Sequence, residues 1–150
     1  MNDDPPSPRV AVSDRQELPV EAAALVDFAR DTLIAEGVLD AELSLSFVTE
    51  AEIADLHETY MDEPGPTDVL SFPQDEEAGP DGVRLLGDVI VCPAVAARQN
   101  PEDPAGELRL LVVHGVLHLL GYDHHEDAER AEMWARQERY SGVAVREVAP

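Results

Sequence analysis

His114-Gly-Val-Leu-His118-Leu-Leu-Gly121-Tyr-Asp-His124 is the stretch on which the reading of this chain turns. Residues four apart on a helix share a face, so His114 and His118 can offer ring nitrogens to one ion. Gly121 is the natural stop, because glycine readily adopts the left-handed conformation that reverses a helix end. Beyond the reversal His124 can swing back as a third ligand. His125 is the rival for that place, but His124 has the better register. Three protein nitrogens leave the fourth position of a tetrahedral zinc ion for water, the pattern of a catalytic site. Asp123 reads equally as a turn residue or as the acceptor that orients a ligand imidazole.

The flanking residues say where this motif sits. From about Ala105 to Leu120 the chain is apolar almost all round, with Leu108, Leu110, Leu111, Val112, Val113, Val116, Leu117, Leu119 and Leu120. Such a helix is buried. A buried imidazole without a partner is costly, so two of them in register, with a third past the glycine, point to metal ligation rather than to ordinary core histidines.

Working outward toward the N-terminus, Leu85-Leu-Gly-Asp-Val-Ile-Val91 is the most apolar strand candidate and belongs in the middle of a sheet. Asp88 within it reads as a hydrogen-bonded structural residue. Pro93 opens a short helix to about Gln99. Thr67 to Phe72 forms a short strand closed by Pro73, and Gln74 to Arg84 an acidic excursion. Met61-Asp-Glu-Pro-Gly-Pro66 is a loop. Thr49-Glu-Ala-Glu52 is a capping box that starts a helix running to about Tyr60. On it His57 is expected at the surface or partly buried, with no partner near in sequence. Leu43, Leu45 and Phe47 alternate with serines as a half-buried strand does. Ala22, Leu25, Val26, Ala29 and Leu33 mark a helix from about Val20 to Glu36, and Arg9 to Ser13 a short strand. C-terminal to the motif, Asp127 to Tyr140 forms a last helix with Ala131, Trp134 and Ala135 on its expected inner face. Residues 143–150 are left unassigned. The sum is an α+β fold: one domain over residues 9–150, a small mixed sheet packed with about five helices, preceded by an acidic, proline-rich tail over residues 1–8.

Composition narrows the function. The chain has 150 residues, 32 Asp plus Glu against 10 basic residues, and a formal net charge of −22, with every basic residue an arginine. Such a surface repels phosphate backbones at long range and argues against non-specific nucleic-acid binding. It suits docking on basic proteins better than on bare RNA. No apolar run reaches the ~20 residues of a membrane span. Lone Cys92 excludes an internal disulfide, and the cytoplasm is the expected compartment.

The histidine spacing matches the metzincin protease signature H-E-x-x-H-x-x-G-x-x-H, except that Gly115 replaces its general-base glutamate. Without that carboxylate, peptide hydrolysis lacks its base. The whole stretch instead resembles the H-G-x-L-H-L-x-G-Y-D-H signature of the YbeY endoribonuclease family. Pro66-Thr-Asp-Val-Leu-Ser-Phe-Pro73 resembles the family's P-T-D-V-L-S-F-P block, and Leu86-Gly-Asp-Val-Ile90 its L-G-D-I-x-I strand. The likeness extends from about the first helix to Tyr140. It implies one zinc ion held by His114, His118 and His124. It also implies single-strand-specific RNA cleavage in maturation of small-subunit ribosomal RNA and in ribosome quality control. The partners would then be ribosomal RNA and the small ribosomal subunit, with basic ribosomal proteins as further contacts, and no membrane.

Asp68 is a further candidate catalytic residue, and with Ser71 it could position water or phosphate if their strand borders the pocket. For Ser71 a plain strand role is favoured. The chain departs from the family at Met61, where many members carry Arg after the tyrosine; Arg84 and Arg98 are the candidate substitutes. Two other readings stand beside the nuclease: a ribosome assembly factor with a largely structural zinc, and a metzincin-like hydrolase of another substrate.

Overall fold

Period-two alternation builds the sheet, and helical periodicity builds the layers that cover it. The computed structural model describes residues 6–74 and 78–144. The order is β1 (Arg9–Asp14), α1 (Ala22–Ala35), β2 (Ala41–Phe47), α2 (Glu50–Met61), β3 (Val69–Pro73), β4 (Arg84–Val91), α3 (Pro93–Gln99), α4 (Pro104–Leu119) and α5 (Asp127–Ser141). Four strands form one mixed sheet in the order β1-β2-β4-β3. β1, β2 and β4 run parallel, while β3 pairs antiparallel with β4, Ser71 opposite Val89. The expected α+β architecture, a small mixed sheet with five helices, is what the chain adopts.

The two faces of the sheet are sorted by alternation. Val69, Val89 and Val91 join Leu43, Leu45 and Phe47 in the main core with α1 and α4. Leu70 and Ile90 point the other way, into a smaller core with Ile53 of α2 and Val95 of α3. The β2–β4 ladder slips by one residue at Glu42/Leu43. There Gly87 takes φ +136° and lies so close to β3 that a Cβ would stand 2.2 Å from the Phe72 carbonyl oxygen. Only glycine fits.

α4 is the axis of the molecule. Asp103 caps it by accepting from the Gly106 N–H at 3.0 Å, and Pro104 starts it. Every residue from Leu110 to Leu117 is buried, and each fully buried leucine among them contributes about 1.5–3 kcal/mol. One side of α4 faces the sheet and α1. Val113 and Leu117 face Met133 of α5.

Three expectations are corrected. Met61 closes α2 instead of opening the loop, because Asp62 takes the left-handed cap at φ 55°. His57 is buried at 7% exposure, with Nδ1 3.0 Å from the Gly65 carbonyl and Nε2 3.2 Å from the Glu63 carboxylate. Its partners come from the loop folding back over α2. The inner face of α5 is Met133, Gln137 and Ser141, with Trp134 half-buried and Ala131 and Ala135 exposed. In the tail, Arg30 of α1 holds the Pro8 carbonyl and Ser7 hydroxyl at 3.2 and 2.8 Å; residues 1–5 and 145–150 lie outside the described residues. Cys92 is buried, and that burial pushes its thiol pKa up. Among the described residues no helix is long and apolar enough to cross a membrane.

Candidate metal centre

The end of α4 explains how a third histidine reaches the first two. Gly121 sits at φ +99°. Its N–H bonds the His118 carbonyl at 3.0 Å, and the Tyr122 N–H bonds the Leu117 carbonyl at 3.1 Å. That pair of bonds is a Schellman stop, and it turns the chain back along the helix it has just left. The turn is pinned from the far side by Glu36 at the end of α1. Tyr122 donates its hydroxyl to Glu36 Oε1 at 2.5 Å, and Arg136 and Tyr140 of α5 engage Oε2. Burial pushes the Glu36 carboxyl up, but the two tyrosine hydroxyls and the guanidinium outweigh it and hold the group below the usual carboxylate range. Burial and the Glu36 carboxylate push Tyr122 up to about 12.

The result is a cluster of His114, His118 and His124, whose ligand nitrogens lie within 4.8 Å of one another. His114 is fully buried, and its Nδ1 lies 2.8 Å from Gln137 Oε1. An amide oxygen only accepts, so Nδ1 carries the proton and Nε2 is the unprotonated nitrogen. Burial, and then the neighbouring His124, lowers the His118 pKa, so this ring stays neutral. His118 Nε2 is buried with no hydrogen-bond partner among the described residues. His124 stacks on Trp134, ring centroids 5.4 Å apart and planes 28° from parallel. Arg130 donates to the His124 carbonyl at 3.2 Å and pairs with Asp127 at 3.3 Å.

These residues fit a zinc ion. Three imidazoles are a borderline-soft nitrogen set of the kind zinc prefers. The orphaned Nε2 of His118 is the polar atom such a bond would satisfy. His125 is apart from the group, 79% exposed in its side chain and 3.2 Å from Asp123. Asp123 accepts the His124 backbone N–H at 2.7 Å. It shapes the turn.

Asp68 is not part of that histidine group. It is 3% exposed and accepts the Val69 N–H at 2.8 Å. The Gln99 amide, in the orientation its neighbours require, donates to Asp68 and to Glu107, each at 3.0 Å. Glu107 precedes His114 by seven residues, about 10 Å along the helix. Ser71 donates to the Gly115 carbonyl at 3.3 Å and lines, with Met61, Leu70, Pro73 and His118, a cleft of about 170 Å³. Of the two substitute arginines, Arg98 is paired with Glu50. Arg84 opens β4, five residues and about 16 Å of strand before Val89. Three residues were missed from sequence: Gln137, Trp134 in its stacking role, and Arg130. A polar residue four places after the buried Met133 was the available signal for Gln137.

Gly115 packs against the sheet. A Cβ there would meet Val89 Cγ1 at 2.5 Å and Ser71 Oγ at 3.2 Å. No carboxylate fits at that position, which removes the general base of the metzincin scheme.

Residues 10–142 match the family model described as Endoribonuclease YbeY. The chain is 50% identical to the Endoribonuclease YbeY of Acidothermus cellulolyticus, covering 85% of this chain and 86% of that protein. It is 44% identical to that of Streptomyces coelicolor, with 85% of each covered. The solution structure of a Thermotoga maritima protein superposes with a TM-score of 0.58 at 29% identity, covering 88% of this chain and 86% of the other.

Proposed function

The chain belongs to the YbeY endoribonuclease family, and from that premise we propose that it cleaves single-stranded RNA at a zinc ion held by His114, His118 and His124. The substrate is ribosomal RNA of the small subunit, cut during maturation and quality control in the cytoplasm. The observation that carries the reading is the buried, unpartnered Nε2 of His118 within a cluster of three histidines.

His114, His118 and His124 would hold the zinc ion, which would supply Lewis acidity for activating water and polarising a phosphate. The protein's own part is preorganisation. Gln137 fixes the His114 tautomer, burial keeps His118 uncharged, and the Trp134 stack with the Arg130 bond restrains His124. The cleft beside His118 gives a substrate strand access from the α2–β3 side. The acidic surface favours recruitment through basic ribosomal proteins over capture of free RNA.

The test is cleavage of ribosomal RNA with single-stranded ends by zinc-loaded wild type beside folded His118→Ala. Cleavage confined to wild type supports the reading. A 2′,3′-cyclic phosphate end would assign the attack to the ribose hydroxyl rather than to water. No cleavage by either, with zinc confirmed in wild type, would transfer the assignment to an assembly factor with a structural metal. The −22 charge and Met61 are the features that favour that second reading.

A further inference from the structure

Two exposed apolar side chains stand where the cleft opens. Tyr60 is 65% exposed and Met61 45% exposed, at the last turn of α2. Large apolar groups left in water beside a site call for an occupant. The Tyr60 ring meets Phe72 of β3 edge to face, centroids 5.3 Å apart and planes at 65°. Met61, which follows Tyr60, lines the cleft together with Ser71, Pro73 and His118. Tyr60 and Phe72, with Met61 beside them, thus make an apolar lip next to the cleft that Met61 lines with His118.

The charge around the lip is of the wrong sign for phosphate. Asp62 and Glu63 follow directly and are exposed. No arginine lines the cleft among the described residues. A single strand entering here meets no cation to hold its backbone, yet it carries unpaired bases whose faces are apolar and polarisable. Aromatic rings accept such faces regardless of sequence, and a thioether adapts to whatever lies against it.

The geometry points to a base-stacking subsite: Tyr60, braced by Phe72 and flanked by Met61, holds an unpaired nucleobase of the RNA next to the scissile position. This inference rests on the RNA-cleavage reading, and it replaces phosphate capture by stacking as the source of affinity at this edge.

The experiment is fluorescence anisotropy with the zinc-loaded protein and a labelled phosphorothioate oligoadenylate, beside the same chain with abasic residues. Binding is thereby read apart from cleavage, so loss of activity with retained binding would count against the catalytic reading alone. The expected result is base-dependent binding that weakens about 5- to 100-fold in Tyr60→Ala and is kept in Tyr60→Trp. The log–log dependence on salt should be shallower than about −1, because few phosphates are neutralised. Equal affinity for abasic and base-bearing strands would overturn the proposal. So would undiminished binding by Tyr60→Ala, no binding by wild type, or a steep salt slope. Concentration-dependent dimerisation that Tyr60→Ala abolishes, with RNA binding unchanged, would assign the lip to a second copy of the chain instead. Tyr60 is mostly exposed, so the variant is expected to melt as wild type does, which a thermal scan verifies.

Discussion

His114 and Gln137 face each other in the fully buried seam between α4 and α5, Nδ1 and Oε1 2.8 Å apart. The bond settles which nitrogen of His114 is available to a metal. Gln137→Leu keeps the volume and removes the acceptor. Zinc affinity should fall about 10- to 100-fold by chelator competition. The metal-free protein should lose about 1–3 kcal/mol for the stranded N–H. Unchanged affinity in a folded variant would show that the packing of α4 alone orients the ring.

The approach of Gly115 to Val89 is a second point of leverage. Gly115→Ala gains about 1 kcal/mol of helix propensity, but a Cβ 2.5 Å from Val89 Cγ1 forces the core apart, at about 1–3 kcal/mol. A modest net loss in urea melts is expected. Pairing it with Val89→Ala should remove the clash, so the two substitutions together should cost less than the sum of each alone. Simple additivity would refute the contact as the cause.

Glu36 makes stability depend on pH. Its carboxyl is held below its ordinary value of 4.5 in the folded chain, so the folded state prefers it ionised. The stabilisation is present above the unfolded pKa and is lost as pH falls through the lower, folded one. Wild type should therefore lose melting temperature below about pH 4.5 more steeply than Glu36→Gln. The variant should be the less stable of the two at neutral pH. Parallel curves would remove Glu36 from the acid response.

Metal removal should be legible without any substrate. With zinc at a hundredfold excess over its dissociation constant, the folded state gains about 2.7 kcal/mol. Chelation should lower the melting temperature and added zinc restore it. His118→Ala should abolish the response, and His125→Ala should leave it intact.

The sequence made the sheet and α4 easy to see, because alternation at Leu43, Leu45 and Phe47 and the unbroken apolar surface of α4 are local signals. The histidine triad was legible for the same reason: its members fall within eleven residues. Partners drawn from distant segments were not. His57 finds Glu63 and Gly65 only once the loop after α2 has folded back. Gln137 looked like any surface residue of a charged helix, since the alanines and Trp134 suggested an inner face one residue removed from the real one. Asp68 sits in the Pro66–Pro73 block, but its neighbours Gln99 and Glu107 come from α3 and the start of α4. Sequence spacing could not place it at the histidines or away from them.

α5 braces His114 through Gln137, stacks Trp134 on His124 and ties Arg136 and Tyr140 to Glu36. A single helix thus serves both as a wall of the core and as the outer clamp of the histidine cluster, and these two duties cannot be separated thermodynamically. Whatever loosens α5 from α4 must also release a ligand's brace, and whatever occupies the histidines must hold the helix down. Amide exchange along α5 should slow when zinc is added, and the tightness of metal binding becomes a gauge of how firmly the end of the fold is shut.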